Sequence, residues 1–430
     1  MELLAVRRIS PQRVRPQLSV PVLAAAFLGA APAAVPAELP RPPAEHLERL
    51  AEAFHLVETA GPSVWPGFEL PDAPVLLVVD ETEYALNLEG APAGWDELSE
   101  VEFAGRPVFA RPRQLPPHLL ASYPALGRPT VVVGTPEATE RRPAHWVLSV
   151  GHELFHVFLD EHGIQDKVAA LEIGPRDEGQ WQLDHPFPYG DEDVLAAMHL
   201  AGYALFRTVT LPSDAPDAEV TYEATVAHEA LRNLLLLLDL KHDDPRHARY
   251  LRFQTGVEGV ARYVERALAR AAAAEGYRPL DTFLAREGEG AYRELWDDVY
   301  ANMMFTVKHL GRVARSRLEF YAFGLGLAEV LDRLGAEWKR PLMEEPGVWL
   351  DDLLARALGE PPRGRFDRLL DPRSVVEGAA RGAPRPDSYR GPVVARKHAP
   401  GRGGMLGMRR VRTPPHNRIG QPTVRLGETG

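Results

Sequence analysis

Apolar residues recur at helical spacing from Ala44 to Leu56, where Leu47, Leu50, Ala51, Phe54 and Leu56 fall on one stripe. The pattern then changes period. Val75 to Val79 is a continuous aliphatic run of the length of a buried strand, Val101 to Phe109 reads as a hairpin around Ala104 and Gly105, and Thr130 to Val133 is a further β-branched run ended by Gly134. A strongly apolar helix is expected next, from Pro143, which suits a first helical turn, to Gly163, which suits a C-cap. Helical spacing follows in Ala224 to Leu240, Gly256 to Ala274, Tyr292 to Val313 and Leu318 to Leu334, with loops at Pro212 to Pro216 and Gly288 to Gly290. The predicted class is α+β: a small N-terminal mixed sheet followed by a predominantly helical region.

The two ends break this pattern. Arg7, Arg8, Arg13 and Arg15 precede an apolar run from Val20 to Val35 and the small-residue sequence Val35-Pro36-Ala37, the layout of a secretory signal peptide cleaved near Ala37. That layout implies a secreted or periplasmic protein; the alternative is a cytoplasmic protein with an Ala/Pro-rich extension. The run is too short and too rich in Ala and Pro for a stable membrane span. From Asp371 to Gly430, arginines lie among Gly and Pro without apolar periodicity, and such a segment cannot repay the entropy of ordering. The expected division is 1–37 signal peptide, 38–142 N-terminal α/β part, 143–275 catalytic helical region, 276–370 C-terminal helical region and 371–430 basic tail.

Composition narrows the chemistry. The net charge of -11 argues against a nucleic-acid-binding body, which needs a basic surface to neutralise phosphates. With no cysteine among 430 residues there are no disulfides, thiolate ligands or cysteine nucleophile, so a metal would sit on His, Asp or Glu. The sequence has neither a phosphate-cradling loop nor a Gly-x-Ser-x-Gly elbow.

Against that background stands His152-Glu153-Leu154-Phe155-His156, inside the expected apolar helix. Positions four apart on a helix differ by about 40° in direction, so both imidazoles can reach one metal. Zinc takes neutral imidazole nitrogens and keeps one position open in a catalytic site, and Glu153 can approach that position as a general base. A His, a Glu and a second His inside a buried helix would be costly without partners, which a metal supplies.

The pattern resembles the zincin metallopeptidases, and the resemblance implies a zincin-like catalytic region with Zn2+ as cofactor and a peptide or protein as substrate. In the metzincin branch the third ligand is a histidine, and His162 has that spacing, but Leu159 stands where those proteins have glycine. In the other branch it is a downstream glutamate; Glu172, Glu178, Glu192, Glu223, Glu229 and Glu258 are candidates by type. Glu258-Gly259-Val260-Ala261 looks like the Glu-Gly-x-Ala segment of gluzincins, which implies Glu258 as the ligand. Those proteins carry an acidic residue four after the ligand; here that position is Arg262, and Glu265 is the alternative partner for a ligand histidine. The same resemblance implies that an edge strand before the metal helix, Thr130 to Val133 or a neighbour, binds extended substrate.

Tyr321, Tyr300 and His228 are candidate donors to a developing oxyanion, with Tyr321 the preferred one beside Glu153 as catalytic residues. Arg312, Arg315 and Arg317 read as a solvated basic face, and Trp181 to Tyr189 as an aromatic loop that either lines the cleft or packs. The functional expectation is a zinc metallopeptidase. The alternatives are a secreted binding protein with a structural metal, and a metallohydrolase of non-peptide amides or esters.

Overall fold

The computed structural model describes residues 39–174, 181–242, 244–312 and 314–359. The segments read as a signal peptide and as a basic tail lie outside the described residues, as does Glu178. The first helix, α1 (Ala44–Val64), runs well past Leu56, because Val57, Ala60 and Val64 continue its buried stripe.

A six-stranded mixed sheet follows, built from β1 (Val75–Val79), β2 (Thr82–Leu86), β3 (Asp96–Phe103), β4 (Arg106–Pro112), β5 (Leu120–Tyr123) and β6 (Thr130–Gly134). Its order is β3-β4-β2-β1-β6-β5, with β1 and β6 parallel and every other pair antiparallel. The sheet is apolar on both faces. Val75, Leu77, Val131 and Val133 face the helices, while Leu76, Val78 and Val132 join a smaller cluster with Trp95 and Phe109 on the other side. Two strands escaped the sequence pattern. β2 carries the buried Glu83, whose carboxylate takes Arg111 at 2.7 Å and the amide of Gln114 at 2.6 Å, and β5 is only half-buried.

The strand from Thr130 to Val133, expected at the sheet edge, is interior: β1 and β5 occupy its two sides, and its backbone cannot accept another strand. The strand at that end of the sheet is β5, which packs beside the metal-motif helix.

The rest is helical: α2 (Pro143–Glu161), α3 (Ile164–Ala169), α4 (Trp181–Asp184), α5 (Glu192–Val209), α6 (Asp217–His242), α7 (Arg246–Gln254), α8 (Val260–Ala272), α9 (Asp281–Glu287), α10 (Ala291–Leu295), α11 (Met304–Lys308), α12 (Leu318–Arg333), α13 (Lys339–Glu344) and α14 (Leu350–Leu358). Helix α2 begins at Pro143 and closes at His162 and the left-handed Gly163, φ 82°. Trp146 Nε1 donates to Gly134 O at 2.7 Å, which ties this helix to the end of β6. One apolar core runs from α1 through the sheet and α2 to α14.

Two helical expectations need correction. The stretch from Gly256 to Ala274 is not one α-helix: a π turn, Thr255–Gly259, joins α7 to α8. The stretch from Tyr292 to Val313 breaks into α10, a second π turn at Trp296–Tyr300, and α11, because Trp296 covers Arg266 while buried Tyr300 reaches a carboxylate on α8. Among the described residues no helix is long and apolar enough to cross a membrane.

Candidate metal centre

Helix α2 is buried from Ala144 to Leu159 over nearly its whole circumference, so its polar residues need partners within the protein. The two histidines of the motif find them on α8 and on the π turn before it. A π turn carries one residue more than an α turn, and such turns recur where a helix must present a functional side chain. Here it presents Glu258 to α2.

The approach depends on glycine. A methyl group on Gly259 would stand 2.9 Å from Gly324 N and 3.0 Å from Phe320 O of α12, and closer still to Gly324 Cα. Only hydrogen at Gly259 and Gly324 lets the two backbones meet, which brings α12 against the turn that bears Glu258.

His152 Nε2 and His156 Nε2 lie 3.1 Å apart, and Glu258 Oε2 stands 3.3 Å from His156 Nε2 and 3.8 Å from His152 Nε2. Among the described residues this is the one group of three whose ligand atoms all fall within 4.8 Å of one another. Ligands about 2.0 to 2.1 Å from a tetrahedral zinc are separated from each other by about 3.3 Å, so the set fits such an ion. All three are oxygen or imidazole donors, as zinc accepts. His162 does not join them. Its Nδ1 meets Phe158 O at 2.7 Å and its ring packs on Phe158.

The tautomer of His152 is fixed from behind. Its Nδ1 donates to Glu265 Oε2 at 3.0 Å, which leaves Nε2 free to ligate. The same carboxylate accepts from Arg262 Nη1 at 2.7 Å and from Tyr300 Oη at 2.5 Å, and its side chain is 2% exposed. Tyr300 therefore spends its proton on Glu265 and is not an oxyanion donor. His228 sits beside Glu229, outside the group of ligands. The other candidate glutamates are engaged elsewhere: Glu172 with Arg249, Glu192 with Arg315, Glu223 with Arg207 and Glu229 with Arg232.

Comparisons with family models, curated proteins and solved structures gave no match to this chain.

Burial opposes charge on His152, but the neighbouring carboxylates of Glu258 and Glu265 outweigh it and push the imidazole up to about 9. Burial would likewise raise Glu258; the charges and hydrogen bonds of His156 and His152 hold it well below the usual carboxylate range. Glu153 differs from both. It is buried, its pKa is raised by that burial, and among the described residues it has no hydrogen bond or ion pair. Its charge acts on His152 and Tyr321.

Tyr321 lies with its ring nearly parallel to that of His152, 11° apart at 6.1 Å, and its hydroxyl accepts from Arg317 Nη1 at 3.2 Å and hydrogen-bonds Glu258. Arg317 is thus not part of a solvated face: its Nη1 is 3.9 Å from Glu258 Oε1 and its side chain is 32% exposed. The spacing Arg317, Tyr321, Gly324 puts all three on one side of α12 and is the sequence signal that would have found it. The segment from Trp181 to Tyr189 packs: His185 stacks on Tyr250, and Phe187 meets Phe320 edge to face.

Proposed function

We propose that this chain is a zinc-dependent metallopeptidase of the gluzincin type, with His152, His156 and Glu258 as ligands and a peptide or protein as substrate. The observation that carries the reading is Glu153: a buried carboxylate with no hydrogen bond or ion pair among the described residues, next in sequence to one ligand and electrostatically coupled to the other two. A purely structural site has no use for such a group, because leaving a buried carboxylate unpaired costs about 1–3 kcal/mol or more.

Zinc, when bound there, polarises the scissile carbonyl and acidifies water. Glu153 takes a proton from the attacking water as its oxygen adds to the carbonyl carbon. The C–N bond then breaks, and Glu153 returns the proton to the leaving amine. Glu265 holds His152 in the ligating tautomer, and the Tyr321 hydroxyl, which bonds Glu258 in the metal-free site, turns its proton toward the oxyanion once Glu258 serves the metal. Strand β5, last in the sheet and packed beside α2, is the natural rail for an extended substrate.

The test is Glu153→Gln in the full chain, assayed for zinc by elemental analysis and for hydrolysis with a peptide library and model esters. Retained zinc with peptide turnover lowered roughly 10²–10⁴-fold is expected. An unaltered rate would sink the mechanism, and hydrolysis of esters without peptides would move the substrate class.

A further inference from the structure

The metal ligands, Glu153 and Glu265 leave one charged group near the site without a task. Arg317 stands just before α12, and Tyr321 and Gly324 follow it one and two turns on, so the side of the helix that presses on the Glu258 turn begins with this guanidinium. Its backbone is held in place. The Glu319 carboxylate accepts from the amides of Ala314 at 3.0 Å and Arg315 at 2.9 Å, and also from that of Gly311, which fixes the loop leading into the helix.

A guanidinium offers five donors. Among the described residues Arg317 makes one hydrogen bond, to Tyr321 Oη, and its contact with Glu258 Oε1, at 3.9 Å, is too long to be another. Arg262, the other cation here, is neutralised by Glu265 at 2.7 Å. Once Glu258 serves a divalent ion, the counter-charge of Arg317 is spent. Two guanidiniums and the ion then outweigh the carboxylates of Glu153, Glu258 and Glu265 by one positive charge, so the cleft favours an anion. Reach limits where that anion sits. Arg317 Nη1 is 3.9 Å from Glu258 Oε1, the oxygen that does not face the histidines, which puts it on the order of 6–8 Å from the metal position; with successive Cα atoms about 3.8 Å apart, the anion it reaches belongs to the residue next to the scissile bond.

We infer that Arg317 binds the C-terminal carboxylate of the substrate, so that the chain removes single residues from the C-terminal end of peptides. A guanidinium suits this anion because it can grip both oxygens. The inference rests on the peptidase reading and narrows it. An acidic side chain in the last position offers the same chemistry and must be separated by experiment.

Three N-acetylated peptides serve as probes for the full, zinc-loaded chain: one ending in phenylalanine as the free acid, the same peptide as its amide, and an amide ending in glutamate. The expected result is release of one residue from the free acid, with kcat/KM at least tenfold above either amide. Arg317→Met should bring the free acid down to the level of the amides, and Arg317→Lys should restore part of the difference. Equal rates on acid and amide, or cleavage at internal bonds, overturn the inference; a glutamate amide as good as the free acid also overturns it. The second readout is calorimetric titration of the same peptides into Glu153→Gln and into zinc-free wild type. At least tenfold tighter binding of the acid, erased by Arg317→Met, supports the inference, and equal binding overturns it. A chain that binds no zinc refutes the peptidase reading by itself, while the titration still reports on Arg317.

Discussion

Replacing Glu265 by glutamine takes a charge from the site and leaves its volume. The carboxylate receives three donors: His152 Nδ1 at 3.0 Å and Arg262 Nη1 at 2.7 Å on one oxygen, and Tyr300 Oη at 2.5 Å on the other. A glutamine can keep the contacts if its carbonyl oxygen faces His152 and Arg262 and its amide faces Tyr300, which then accepts instead of donating. What disappears is the charge assistance. A hydrogen bond to a charged group contributes about 1.5–3 kcal/mol against about 0.5–1.5 for a neutral one, and Arg262 loses its counter-ion, so about 2–3 kcal/mol of stability should go. The effect on zinc is separate. Partners of ligand histidines typically govern affinity by about 10–100-fold, or about 1.4–2.7 kcal/mol. Competition with a chelator on the full chain reads the second quantity, and denaturant unfolding of the zinc-free chain reads the first. Glu265→Ala is the control: it leaves Arg262 buried without a partner and should cost about 3–5 kcal/mol. Zinc affinity within twofold of wild type in Glu265→Gln would refute the claim that this carboxylate sets the ligating tautomer of His152.

Gly259→Ala should push α12 off the Glu258 turn, destabilise the fold by about 1–3 kcal/mol and weaken zinc, both measurable by the same two assays; a fully stable variant with unchanged zinc would mean the helices separate freely. Glu258→Ala should lose zinc in the chelator competition, while His162→Ala should keep it, since His162 is occupied with Phe158. Acid should destabilise the zinc-free chain through His185 and His247, whose facing nitrogens lie 3.1 Å apart and hold one proton between them. Burial lowers both, His185 to about 4, so the folded state resists a proton that the unfolded chain accepts below about 6.5. This part of the stability is full well above pH 6.5 and falls by about 3 kcal/mol as the pH drops to 4; His185→Phe should flatten that slope in unfolding curves taken across the range.

The sequence announced those parts of the site that depend on local spacing. His152 and His156 needed only a helical period, and α2 keeps that period from Pro143 to Glu161. The strands β1 and β6 were legible because their aliphatic runs are unbroken; β2 was not, because Glu83 interrupts its pattern and its reward, Arg111 and the amides of Gln114 and Leu115, comes from residues far along the chain. Tyr300 shows the same limit more sharply. The sequence offers it as a helical tyrosine and a candidate oxyanion donor, whereas its place in a π turn is fixed by a carboxylate on another element. Arg317 has the sequence context of a solvated residue because Arg312 and Arg315 precede it, whereas the spacing that matters runs forward to Tyr321 and Gly324.

The departure at Arg262 has its own physical sense. Residues four and seven after Glu258 differ from it by about 40° and 20° in direction on a helix, so Arg262 and Glu265 both face α2. They lie about 6 Å and 10.5 Å further along the axis, and the more distant one reaches the far side of the His152 ring. Glu258 thus meets Nε2 while Glu265 meets Nδ1. Two carboxylates on one imidazole, both largely withdrawn from water, would repel each other and drive one of them to take up a proton. Arg262 stands between them in sequence, bonds Glu265 directly and acts on Glu258 through its charge. A carboxylate at position 262 would add a third negative charge to that face; the arginine there keeps Glu265 ionised, while His156 and His152 do the same for Glu258.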